Sequence, residues 1–328
     1  MSDLYLYASL IGGLLILAFA GDFLVNGAVS LSRKLGVSPL VAGILIVGFG
    51  TSAPEMVVTL GAALEGTPKL ALGNIVGSNI ANVWLVLAIP ALIAPIATGS
   101  FGQSRALMFV LLTTAAWIII AATLPLTPII GIAFLTGLVF YAIITVTQAL
   151  SAARKGVDVG LDTEEATLSG LKLWAYLLVG IIGLPIGAHF IVEGGVGIAH
   201  KFHVSEELIG LTLLAIGTSL PELGAGIAAA LRKKSDVVIG NVLGSNVFNL
   251  LGAGGIVSLF GVDKFPSGFA NYDHWALGGA ALTLALFIIP KSKISRLAAI
   301  AMLLIYALYL FGLINGWNIL AGVTSLGS

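Results

Sequence analysis

The string "GTSAPE", Gly50 to Glu55, interrupts a long apolar run with a proline and an acid. With one residue changed it recurs as "GTSLPE", Gly217 to Glu222. The chain around them has 328 residues, 58% of them hydrophobic and 9% charged. Soluble domains carry about 25% charged residues, so apolar segments run through the whole chain and predict a polytopic membrane protein. In that setting a carboxylate at a helix centre costs about 2.5–3.5 kcal/mol on insertion scales. The proline beside it removes an amide donor and crowds the preceding turn. Two copies of so costly a combination point to a use.

About 20 apolar residues cross the hydrocarbon core. By that measure there are ten spans, near 4–31, 39–64, 70–95, 106–124, 127–150, 173–199, 208–231, 237–261, 275–290 and 297–316. The N-terminus lacks a basic leader, so the first run is read as a retained span. Tyr5, Tyr7, Trp174, Tyr176, Tyr272, Trp275 and Trp317 fall near span ends, as an interfacial belt requires. Trp84 and Trp117 fall inside spans, as packing residues. Of the 15 basic residues, 12 lie on one set of loops and only Lys69, Lys201 and Lys264 on the other. The positive-inside rule puts the rich side in the cytoplasm and both termini outside. The polar segment 151–172 becomes a cytoplasmic linker between the halves 1–150 and 173–328. Net charge is zero, which suggests no nucleic-acid partner, and the absence of cysteine excludes disulfides and thiolate chemistry.

A shift of 167 residues lays Gly21–Asn82 over Ala188–Asn249 without a gap, with 22 identities in 62 positions. The densest matches are the Pro-Glu strings and the pair "GNIVGSNIAN" (73–82) and "GNVLGSNVFN" (240–249). This is duplication. Five spans per half is odd, so the second half enters the membrane inverted. The expected fold is an all-α membrane protein of ten transmembrane helices in two inverted-topology five-helix repeats. In such folds the site lies at the repeat interface near the midplane.

Glu55 and Glu222 sit midway along spans 2 and 7, with no basic residue in either span to pair with them. A cation or a proton is the remaining partner. Thr51 is four residues from Glu55 and so shares its helix face. Ser52 and Ser219 add hydroxyls. Asn74, Ser78 and Asn82 form a one-face stripe, as do Asn241, Ser245 and Asn249. Gly73, Gly77, Gly240 and Gly244 permit close helix approach. A set built from oxygens alone suits calcium or sodium rather than zinc or copper. A lone Pro-Glu string could be a kink around a protonated glutamate; two copies at one offset argue against that. Asn74 and Asn241 suit interhelical hydrogen bonds better than ligation, and Asn79 and Asn246, off the stripe, suit packing. Asp22 and Glu193 read as interfacial residues near span ends. His189, the repeat mate of Asp22, reads as structural, and His200, His203 and His274 read as surface residues.

These paired motifs resemble the alpha-repeats of the cation/calcium exchanger superfamily, in particular the prokaryotic-type sodium/calcium exchanger branch. The resemblance implies a bundle of spans 2, 3, 7 and 8 around adjacent cation sites, with spans 1 and 6 sliding across it. It carries ligand roles onto Thr51, Ser52, Glu55, Ser78 and Asn82, and onto Thr218, Ser219, Glu222, Ser245 and Asn249, with carbonyls near Gly48 and Ala215 contributing. Asn249 departs from relatives that have Asp there, which speaks against potassium dependence. The proton-coupled branch shows a G-N-x-x-E type motif in place of T-S-x-P-E. The expected activity is secondary antiport of sodium for calcium across the plasma membrane. It would involve the lipid bilayer and transported calcium and sodium, with no cofactor and no protein partner. Proton/calcium antiport on the same architecture is the alternative, and a cation channel a more distant one. No motif offers a nucleophile beside a histidine base, so an enzyme is not expected.

Overall fold

The computed structural model describes residues 2–155, 168–202, 215–262 and 272–317. Within them the regular structure is helical. We number the helices α1 (Asp3–Leu35), α2 (Pro39–Leu64), α3 (Leu70–Ile93), α4 (Gln103–Thr123), α5 (Pro128–Arg154), α6 (Gly170–Lys201), α7 (Leu220–Leu231), α8 (Ser235–Leu259), α9 (His274–Ile288) and α10 (Arg296–Ile314). All but α7 and α9 are long and apolar enough to cross a membrane. The expected spans coincide with these helices to within a few residues. The first part of the seventh span, the expected linker at 156–167, and His203 lie outside the described residues.

Local chemistry sets the ends. Ser2 caps α1 by accepting from the Tyr5 amide at 3.4 Å, and Gly36 ends it in the left-handed region (φ 67°). Thr127 caps α5, with Pro128 in the first turn, so α4 and α5 are joined tightly. At 33 and 32 residues, α1 and α6 are each about 50 Å long, well beyond a hydrocarbon core of about 30 Å.

Those two helices pack along glycines. A side chain at Gly180 would strike the Leu24 backbone, one at Gly187 the Leu17 amide, and one at Gly194 the Leu6 carbonyl. Numbers rise along α1 as they fall along α6, so the pair is antiparallel. The centre of the molecule is α3 and α8, which are buried along most of their length, whereas α5, α6 and α10 expose broad apolar faces. The start of α2 lies parallel to α8, with Gly43 against Gly240 and Ile44 against Gly244.

Two isolated bridges tie loops together, Ile96 to Ile294 and Leu126 to Val262. Their paired amide–carbonyl bonds are 2.8–3.1 Å long. The 167-residue shift carries position 96 to 263 and position 126 to 293, each one residue from the observed partner. The two bridges are thus related, to within one residue, by the sequence shift.

One surface assignment fails. His274 is buried, at 5% exposure, at the start of α9, which packs against α4 and α3. Tyr309 of α10 donates to the adjacent Asp273 at 2.8 Å. Trp84 and Trp117 are buried packing residues as expected, and Trp84 also donates to Thr283 at 3.1 Å.

Candidate cation site

The backbone prepares the site with widened turns. π-helical segments interrupt three of the helices that carry expected ligands: Gly43–Gly48 in α2, Asn82–Val86 in α3 and Phe248–Ala253 in α8. The last two sit at equivalent repeat positions and contain Asn82 and Asn249. The Leu87 amide reaches back five residues to the Asn82 carbonyl at 3.1 Å, the signature of a π turn. Such turns displace carbonyls from the ordinary ladder. The Gly48 carbonyl accepts from Thr51 Oγ1 at 3.3 Å and from Ser245 Oγ at 3.4 Å, so one freed oxygen joins both halves.

The two prolines act differently, which corrects the expectation of a broken helix at both. Pro54 lies inside a continuous α-helical segment, Phe49–Leu64. Pro221 stands in the first turn of α7, after a two-residue turn at Thr218 and Ser219, so the chain does break there.

The side chains converge from both repeats. Ser52 Oγ donates to Glu222 Oε1 at 3.1 Å, and Ser78 and Thr218 hydroxyls meet at 3.4 Å. Thr51 Oγ1 lies 3.3 Å from Asn241 Oδ1. The Glu55 and Glu222 carboxyls lie within range of one another. Nine of the ten expected ligands are buried, at 2% exposure or less, and Thr218 is half-buried. Asn74 donates to the Glu55 carbonyl at 3.4 Å, and its mate Asn241 donates to the Glu222 carbonyl at 3.1 Å. These two bonds agree with the structural role read for them from sequence.

Asn79 donates to Ile75 of its own helix, as a packing residue would. Asn246 does not behave so. Its Oδ1 accepts from Asn82 at 3.2 Å, bridging the repeats and orienting an expected ligand. It lies off the four-residue stripe, which is why the stripe did not include it. A shared position in "GSN", where Asn79 and Asn246 are mates, was no guide either.

Burial without partners identifies the chemistry. Both oxygens of Glu55, Glu222 Oε2, Ser219 Oγ, Asn82 Oδ1 and both polar atoms of Asn249 are buried and make no hydrogen bond among the described residues. Neither acid is paired with a basic side chain there. Buried polar groups are normally satisfied, and an unsatisfied one costs about 1–3 kcal/mol, more when charged. The set is oxygen-rich, with two carboxylates, and would be satisfied by a hard cation. The cation would be cargo, held between the two halves.

The profile of the family described as "Sodium/calcium exchanger protein" matches residues 5–149 and 172–315. The chain belongs to that family. Inner membrane protein YrbG of Escherichia coli is 36% identical over 249 residues, 74% of this chain and 76% of the relative. Sodium/calcium exchanger MaX1 of Methanosarcina acetivorans is 27% identical over 341 residues, 91% of this chain and 95% of the relative. A structure of the sodium-calcium exchanger NCX_Mj, soaked with sodium and strontium, superposes with a TM-score of 0.80 at 30% identity. That match covers 95% of this chain and 99% of the other. This exchanger is thus an integral membrane cation/calcium antiporter, a transporter and not an enzyme.

Proposed function

We propose that the exchanger expels calcium by coupling it to sodium entry, through alternating access to one midplane site shared by two inverted five-helix repeats. The observation that carries this reading is the pair of buried glutamates, one per repeat, with no basic partner among the described residues. The proposed ligands are Thr51, Ser52, Glu55, Ser78, Asn82, Thr218, Ser219, Glu222, Ser245 and Asn249. Antiparallel packing of the repeat mates α1 and α6, and the repeat-related loop bridges, support the inverted division into 1–150, a linker 151–172 and 173–328. With both acids ionised and empty, the cage carries two negative charges. One calcium or two sodium ions neutralise it. An uncompensated buried charge costs several kcal/mol, so loaded forms should cross between states more easily than the empty one, which couples the fluxes.

Calcium uptake into proteoliposomes loaded with sodium, with protons, or with no gradient decides the coupling ion. Uptake only with sodium inside is the expected result, and uptake driven equally by protons would replace sodium in the reading. Orientation has its own test, since the chain has no native cysteine. Cysteines at Ser2 and Thr67 should label from outside with an impermeant reagent, and one at Ser151 only after permeabilisation. External labelling at Ser151 would reverse the orientation.

Protons compete with calcium for the two carboxylates, so transport should fall in acid. Asn249→Asp would add a third acid to the cage. The midpoint of acid inhibition should then move to higher pH, because more carboxylates share the same protons. Uptake against pH at clamped voltage and fixed sodium measures it. Superimposable profiles for wild type and variant would place Asn249 outside the cage.

A further inference from the structure

The two ends of the α1–α6 pair are held unequally. Asp22 of α1 takes Arg232, from the turn between α7 and α8, onto one carboxylate oxygen: Nε at 2.7 Å and Nη2 at 2.6 Å. Its other oxygen accepts from Asn26 at 3.2 Å. The 167-residue shift carries Asp22 to His189 and Arg232 to Glu65. The mates are again a complementary couple, with base and acid exchanged. The carboxyl is now on the turn between α2 and α3, and the imidazole on α6. Asn26 maps to Glu193, one helical turn from His189 and bonded to Tyr5 of α1 at 3.0 Å.

Only one couple is made. His189 and Glu65 are both exposed, and no bond joins them. The packing beneath repeats the difference. α1 covers α7 closely, with the Gly21 backbone against Gly224, which is buried. At the equivalent place on α2, Val57 is 69% exposed, uncovered by α6. Symmetry of sequence is therefore broken in structure at one end of the molecule and kept at the other.

We propose that Asp22–Arg232 and His189–Glu65 are alternate latches, each closing one end of the α1–α6 pair and each made only when the other is open. This rests on the alternating-access reading. In the structure the Asp22–Arg232 latch is shut and α1 is seated on α7. Moving the pair toward the other state would seat α6 on α2 over Val57 and bring His189 to Glu65, between that carboxyl and Glu193. Asp22, Arg232, His189 and Glu65 are positioning residues that touch no cargo. They set which side of the cage is open.

The test uses the full-length, cysteine-free chain in proteoliposomes, with Glu65→Cys and His189→Cys introduced together. The pair should cross-link under mild oxidation, and the cross-linked protein should stop exchanging until reduced. Adding Arg232→Asp, which opens the other latch, should raise the cross-linking rate about two- to fivefold, the range of a half-exposed ion pair. Restoring the pair in reversed order, with Asp22→Arg and Arg232→Asp, should bring the rate back. A rate unaffected by Arg232→Asp, an absence of cross-linking, or full exchange by the cross-linked protein would each overturn the proposal. Failure of sodium to drive calcium in the unmodified chain would count against the function instead, because the latch is read from cross-linking alone.

Discussion

Glu55→Gln and Glu222→Gln should each nearly abolish calcium exchange while leaving the protein abundant and folded. Each acid supplies one of only two charges in the cage, and both are fully buried. Removing one partner of a buried charge pair costs about 3–5 kcal/mol, or about two to three orders of magnitude in affinity. The fold should bear the change. Neither oxygen of Glu55 has a hydrogen-bond partner among the described residues to lose, and an amide at position 222 can still accept from Ser52. Loss of charge from an empty cage relieves desolvation, so the melting temperature in calcium-free detergent should hold or rise. Calcium uptake, calcium-dependent thermal stabilisation and the calcium-free melt separate these effects. Near-normal uptake by either variant would refute a cage shared between the repeats.

The second large effect is steric. Gly244→Ala would place a methyl 2.6 Å from the Ile44 carbonyl oxygen and 2.9 Å from the Ile44 Cα. Both are backbone atoms of α2, so no rotamer change can make room, and α2 must move. Overpacking of this kind costs about 1–3 kcal/mol. The larger effect is on transport, because α2 carries Thr51, Ser52 and Glu55, and their bonds to α7 and α8 lie one to three turns away. Exchange should fall at least about tenfold, since small displacements of positioned groups cost that much or more. Gly61→Ala on the same helix meets nothing within 4 Å and serves as the control. If Gly244→Ala melted and transported like Gly61→Ala, close approach of α2 and α8 would not be what holds the cage.

What sequence could show here was whatever repeats. The span edges follow from apolar length and caps. The two motifs follow from recurrence at one offset, and the bonding of Asn74 and Asn241 from a four-residue stripe. Three features escaped because they depend on how the copies differ or on the local backbone. The π turns leave no residue signature that hydrophobic period can read, and the bond from Asn82 to Asn246 joins residues 164 positions apart. Pro54 and Pro221 stand in strings that differ by one residue, yet one helix runs through and the other breaks. His274 is polar and lies near a span end, which suggests a surface place. Its burial comes with tertiary packing of α9 against α4 and α3. Asp22 was read as lying near a span end, but it stands 13 residues before the end of α1, and its partner Arg232 is 210 positions away, which only the folded chain could supply.

The widened turns carry a last consequence, for how this family can vary in length. A π turn is an α-helix holding one residue too many. Deleting a single residue between 83 and 86 would let α3 close into regular turns, and everything beyond would rotate by about 100° about the helix axis. Pro90 and Ala91 are buried, and the Leu92 and Ile93 carbonyls bind Arg296 at 2.9 and 3.1 Å. All of these would turn away from their neighbours, while Ser78 and Asn82 kept theirs. The extra residue thus acts as a phase adjuster. It lets the half of the helix that meets the ion and the half that meets the scaffold obey separate registers, so the chain around the cage should resist single insertions and deletions more strongly than it resists substitutions.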